Sequence, residues 1–243
     1  EMDQDEQVKE SDSRATLISL ESLHSGPEWF GSDIVQMANR IHASFFPCKI
    51  ILGIRNQWSY IVSNYNEYII HGGKLSFKYF RNNSFNFNYA LSAKLQYDKV
   101  ISMYNELFGP ENVHIYLHEE LLKDPVREMN RMTAFMGIRE FESISKTKTY
   151  ASMNKCSMEI IRILNHLLAM DFNEQYFLVG RSNLWPVREK VRRRIISLFQ
   201  KFQKTGIPKR ICKKSYVTDQ MKNEIRNKFC SSNHSLEKIL GVD

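Results

Sequence analysis

The chain has 243 residues, of which 42% are hydrophobic and 25% charged, ordinary values for a globular fold that exclude a disordered or fibrous one. Lys+Arg number 34 against 27 Asp+Glu, a net charge of +7, which favours anionic partners: a nucleotide, a sulfated or phosphorylated substrate, nucleic acid or a membrane surface. The charge is segregated. Acids crowd residues 1–10, and cations crowd 188–214.

Residues 1–14 read as a polar loop or frayed helix end, and "ATLISL" (15–20) as a short β-like run ending on Glu21-Ser22 before a Gly26-Pro27 breaker. A helix is expected over 31–44, capped by Ser32 or Asp33, with Ile34, Met37, Ala38 and Ile41 at helical spacing. "KIILGI" (49–54) is the strongest strand, apolar at consecutive positions as a strand covered on both faces should be. A helix over 57–70 follows, stopped by Gly72-Gly73. The aromatic and Asn-rich stretch 75–89 reads as loop or short helix over a cleft.

Further on, 90–107 reads as a helix ended by Gly109-Pro110, 112–118 as a strand, and 125–136 as a helix closed by Gly137. Helices over 155–170, 186–203 and 218–240 complete the chain. Alternating strands and helices predict a mostly parallel sheet with helices on both faces, in a single domain spanning 1–243 with a helical C-terminal part from 186. No apolar stretch is long enough to span a membrane, and residues 1–14 lack a signal-peptide core. Cys48, Cys156, Cys212 and Cys230 are widely spaced without a CxxC pair. That argues against a zinc site and a dense disulfide framework and makes a reducing, cytoplasmic compartment the default.

Ligands bind outside the carboxyl ends of parallel strands, and Arg55 is the first residue past such an end. Its guanidinium is a planar fork of donors matched to phosphate oxygens and stays charged at any useful pH. Ser63, two turns into the next helix, could donate to the same anion. The competing reading is a strand-end arginine paired with a carboxylate and a serine facing solvent.

"IILGIRNQWSYIVSNY" resembles the 3′-phosphate-binding segment of sulfotransferases that use 3′-phosphoadenosine 5′-phosphosulfate (PAPS). In that family a strand ends in Arg-Asn/Asp-Pro and a serine follows eight residues after the arginine. Arg55, Asn56 and Ser63 match, whereas Gln57 replaces the proline. Residues 97–138 resemble the family's next helix–strand–helix unit, "ASMNKCSMEIIRILN" (151–165) its Asn-x-x-Ser helix start, and 216–243 its C-terminal helix pair.

The resemblance implies a P-loop-NTPase-like three-layer α/β/α fold with a mostly parallel central sheet. It implies PAPS as donor, adenosine 3′,5′-bisphosphate as product, no metal, and a hydroxyl or amine of a carbohydrate or small metabolite as acceptor. It places Arg55, Asn56 and Ser63 on the nucleotide, with Arg181 in "GRS" (180–182) as a candidate for a later basic loop closing over it. Glu21, at the end of the first β-like run, matches the strand-end base of carbohydrate sulfotransferases, and His24 is the second candidate base. A turn cap and a surface histidine are the plain readings of those two.

The family's Gly-Thr-Thr-type loop for the 5′-phosphosulfate does not stand in this sequence. The chain is therefore expected to be N-terminally truncated, and the alternative function is an inactive sulfotransferase-like fragment or a polyanion-binding module. His114 and His118 share a strand face without further metal ligands, and Lys146 and Lys148 read as a solvated loop. "PVREKVRRR" (186–194) reads as a solvated helix face, with docking of a polysaccharide or nucleic acid as the sharper option. The absence of a nucleic-acid-binding motif argues against the latter.

Overall fold

The computed structural model describes residues 16–18, 34–86, 93–140, 142–143, 154–167, 185–204 and 215–241. Two strands, β1 (Ile50–Ile54) and β2 (Val113–Leu117), pair in parallel, in register from Ile50 opposite Val113 to Ile54 opposite Leu117. Parallel neighbours need a long crossover. Here it contains α2 (Gln57–Ile70), α3 (Phe77–Asn86) and α4 (Tyr97–Phe108), while α1 (Ile34–Phe45) precedes β1.

Strand parity assigns the two faces. Ile50 and Leu52 with Val113 and Ile115 pack against Ala38 and Ile41 of α1 and Val100, Tyr104 and Phe108 of α4. On the other face, His114 stacks on Phe135 of the helix over Pro125–Met136, ring centroids 5.2 Å apart, and Lys49 Nζ donates to the Phe135 carbonyl at 2.5 Å. The described part is thus a small parallel sheet with helices on both sides.

A short helix, α5 (His118–Lys123), follows β2 directly and leads into α6 (Pro125–Met136). The Asp124 carboxylate accepts from the Arg127 N–H at 3.2 Å and caps α6, with Pro125 at its first position. At the far end Gly137 takes the left-handed conformation (φ 75°) that closes a helix. Beyond these come α7 (Lys155–Leu167), α8 (Trp185–Lys204), α9 (Asp219–Lys228) and α10 (Cys230–Leu240).

Helix α2 is central to the helical part because Ile61, Tyr65 and Ile69 recur every four residues and are all fully buried. Tyr65 and Ile69 pack with Met158 and Ile161 of α7, Ile196 of α8 and Tyr216. Ile61 packs with Leu95 and with Met221, Ile225 and Phe229.

Several expectations need correction. The strand at 49–54 is not sealed on both faces: Ile50, Ile51 and Leu52 are half-buried, Gly53 is exposed, and only Ile54 is buried. Among the described residues β1 has one strand neighbour, so one of its edges has no described partner. The helix expected over 90–107 is interrupted: residues 93–94 are helical, a turn follows at Leu95, whose carbonyl accepts from Gln57 Nε2, and α4 begins at Tyr97. The segment 218–240 is two helices broken at the buried Phe229, as the family's helix pair implied. Residues 16–18 carry no strand, and the rest of "ATLISL" lies outside the described residues.

Cys156 is disulfide-bonded, whereas Cys48 and Cys230 are free thiols. No described helix is long and apolar enough to cross a membrane.

Candidate functional site

Arg55 leaves the sheet at the carboxyl end of β1, one residue past Ile54, and α2 starts two residues later. The short turn between them is held from three sides. Tyr97, at the start of α4, donates its hydroxyl to the Arg55 carbonyl at 2.8 Å. The Asn56 N–H donates to Oε1 of Glu119, in the first turn of α5, at 3.0 Å. Gln57, buried at the first position of α2, donates from Nε2 to the Leu95 carbonyl (3.2 Å) and to Oδ1 of Asn233 on α10 (2.8 Å). Asn233 Nδ2 returns a longer bond to Gln57 Oε1 at 3.3 Å.

This amide pair explains the departure from the family's proline. Proline would fix the backbone at a helix's first position, where its missing N–H costs nothing. Gln57 instead uses its side chain to tie the strand end to the C-terminal helix. Ser232, beside Asn233, adds a hydroxyl bond to Asp98 of α4.

With its backbone so fixed, the half-buried Arg55 side chain donates from Nε to Oγ of Ser59 at 2.7 Å. No described carboxylate pairs with the guanidinium, and its two terminal nitrogens have no described acceptor. The carboxylate-paired alternative is therefore not what the described residues show. Ser59 is one turn into α2, and exposed Ser63 follows one turn later on the same side of the helix. The structure thus places Ser59 between Arg55 and Ser63. The missed signal is its spacing, four residues from each.

The first turn of α2 adds a second feature. Asn56 occupies the cap position, but its side chain makes no capping bond; Glu119 takes the Asn56 N–H, and no described side chain takes those of Gln57, Trp58 or Ser59. An uncapped helix N-terminus carries partial positive charge and aligned donors. Next to an arginine without a described carboxylate it suits a phosphate dianion. These residues fit the 3′-phosphate of the implied nucleotide.

His118 also belongs here. Continuing the strand register one step beyond Ile54 and Leu117 sets His118 beside Arg55. Burial holds its imidazole below the usual histidine range, the Arg55 charge adds to this, and Glu119 opposes it. The sequence pairs His118 with His114 on one strand face, without further metal ligands, and parity alone does not bring it to Arg55.

Glu21, His24 and Arg181 lie outside the described residues, as do Lys146 and Lys148. Among the described residues no group of three His, Cys, Asp or Glu side chains could hold a metal. His114 sits away from Arg55, stacked on Phe135, with its Nε2 buried and unpartnered among the described groups.

A parallel strand pair whose carboxyl end presents an arginine, without a described carboxylate, at the start of a helix is an α/β arrangement. The sulfotransferase domain model matches residues 42–222, and the chain belongs to that family. It is similar to a sulfotransferase from Alicyclobacillus acidocaldarius of known crystal structure, at 22% identity and a TM-score of 0.41, over 56% of this chain and 55% of that one. The chain thus spans about half the length of that protein. No curated protein matches.

Proposed function

We propose that the chain binds PAPS through Arg55 and the first turns of α2 and serves transfer of its sulfuryl group to a hydroxyl or amine of a carbohydrate or small metabolite. The observation that carries this reading is the Arg55 guanidinium, half-buried, fixed by Ser59, and without a described carboxylate. Family membership supplies the donor class, since sulfotransferases use PAPS. On this reading the two described strands belong to a wider, mostly parallel sheet in a three-layer, P-loop-like arrangement.

PAPS supplies the transferable sulfuryl group and leaves as adenosine 3′,5′-bisphosphate. The protein's part at the 3′-phosphate is binding and orientation. Arg55 offers its two terminal nitrogens to the phosphate oxygens while Nε stays on Ser59. The Ser63 hydroxyl and the leading N–H groups of α2 complete the cradle, and Asn56 sets the helix start. On the strength of the resemblance alone, Glu21 is assigned as the base that takes the acceptor proton, with His24 second, and Arg181 as a cation near the nucleotide.

Calorimetric titration with adenosine 3′,5′-bisphosphate tests the assignment. Arg55→Ala should weaken binding by about 2–5 kcal/mol, the cost of removing one partner of a buried charge-assisted contact. That is a loss of roughly thirtyfold or more. Wild-type protein that fails to bind, or an Arg55→Ala variant that binds as well, would overturn the reading.

A further inference from the structure

Helix α8 (Trp185–Lys204) carries seven lysines and arginines to a single glutamate, Glu189. Its inner side is accounted for, because Ile196 is buried in the core shared with α2 and α7, and Phe199 packs against that core. Its outer side is not polar throughout, as a merely solvated face would be. Val187 is 62% exposed, Val191 39% and Leu198 65%. At about 100° per residue these three fall within roughly 40° of one another, on the side opposite Ile196. Lys190, Arg194 and Lys201, all exposed, form a second stripe about 60° away on the same outward half. None of the three is paired with a described carboxylate.

From this pairing of stripes we propose that the outer face of α8 docks on an anionic lipid surface. A cationic row beside an apolar row is the pattern of helices that lie in the membrane interface, with the apolar side chains among the acyl chains and the cations at the headgroups. A sulfated polysaccharide would satisfy the cations but offers no apolar phase to Val187, Val191 and Leu198. A second copy of the chain would set two cationic helices against each other. This docking surface is independent of the nucleotide site, since α8 contributes no residue to the turn around Arg55.

The test is flotation of the protein with phosphatidylcholine vesicles, with and without about 30% phosphatidylserine. Wild type should float only with the anionic vesicles, and less at high salt. Two triple variants separate the stripes: Lys190→Glu/Arg194→Glu/Lys201→Glu, and Val187→Ser/Val191→Ser/Leu198→Ser. Each should lower the vesicle affinity about tenfold or more, with an unchanged thermal melt confirming the fold. The proposal is overturned if wild type does not float, or if the serine variant floats like wild type. Retention on heparin lost in the glutamate variant but kept in the serine variant, together with undiminished flotation of the latter, would make the face a polysaccharide site instead.

Discussion

The two ends of α2 are treated in opposite ways. At its C-terminus the protein satisfies the backbone itself. The buried Asn165 of α7 donates from Nδ2 to the carbonyls of Ile69 (2.8 Å) and Gly73 (2.9 Å). Arg162 Nη1 reaches the Lys74 carbonyl, and the Tyr68 hydroxyl accepts from the N–H groups of Lys74 and Leu75. At its N-terminus the Asn56 side chain makes no capping bond, and the described contacts hold Arg55, Asn56 and Gln57 from outside. A helix end used only for structure is filled by protein groups, whereas one meant for a ligand keeps its donors free and its scaffold rigid.

The largest way to break this contrast is at the closed end. Asn165→Leu keeps the branching of the side chain, though not its size, and strips two buried carbonyls of their donor, at a cost of about 2–3 kcal/mol in urea denaturation. Relief of the Asn165 Oδ1, buried without a described partner, offsets part of the loss. Because Asn165 acts at the far end of α2, adenosine 3′,5′-bisphosphate affinity measured well below the unfolding midpoint should change less than twofold or so. A large affinity loss in a still-folded Asn165→Leu would mean the two ends are not separable.

A smaller effect is expected at the open end's scaffold. Gln57→Pro restores the family's residue at a position that tolerates proline, yet it removes the amide pair with Asn233 and the bond to Leu95. The net cost should be about 1–2 kcal/mol. In a cycle with Asn233→Ala the coupling should be on the order of 1 kcal/mol. Zero coupling would show that the C-terminal helix does not brace the strand end.

How much of this was legible in the sequence varies with the physics involved. Helix 125–136 was readable to the residue because both its ends carry local chemistry, Asp124-Pro125 at the start and Gly137 at the close. The 57–70 helix was equally plain, bounded by a strand and a glycine pair. Arg55 was legible because a cation ending an apolar strand is conspicuous. Ser59, His118 and the Gln57–Asn233 pair were not, since each depends on contacts between segments far apart in sequence or on strand register. In the sequence Gln57 only replaces the family's proline, and its use appears when Asn233, 176 residues away, is set beside it. The break at Leu95 inside the expected 90–107 helix was missed for the same reason: the turn carries a bond from Gln57 and no breaker residue.

The smallest expected effect sharpens the open end electrostatically. His118 titrates below the ordinary histidine value of about 6.5 because it is partly buried and faces the Arg55 charge, with Glu119 in partial opposition. With the folded-state pKa depressed, its contribution to stability is complete above about 6.5 and is lost as pH falls through the lower folded value. A phosphate placed against Arg55 removes much of that repulsion and raises the His118 pKa, so binding takes up a proton. The affinity of wild type relative to His118→Gln should then rise as pH drops below about 6.5, by on the order of threefold to tenfold, half to one pKa unit of linkage. Taking the ratio to the glutamine variant cancels the nucleotide's own titration. A ratio flat from pH 8 down to about pH 5, across the histidine range, would place the bound anion away from Arg55, and with it the open end of α2 would lose its ligand.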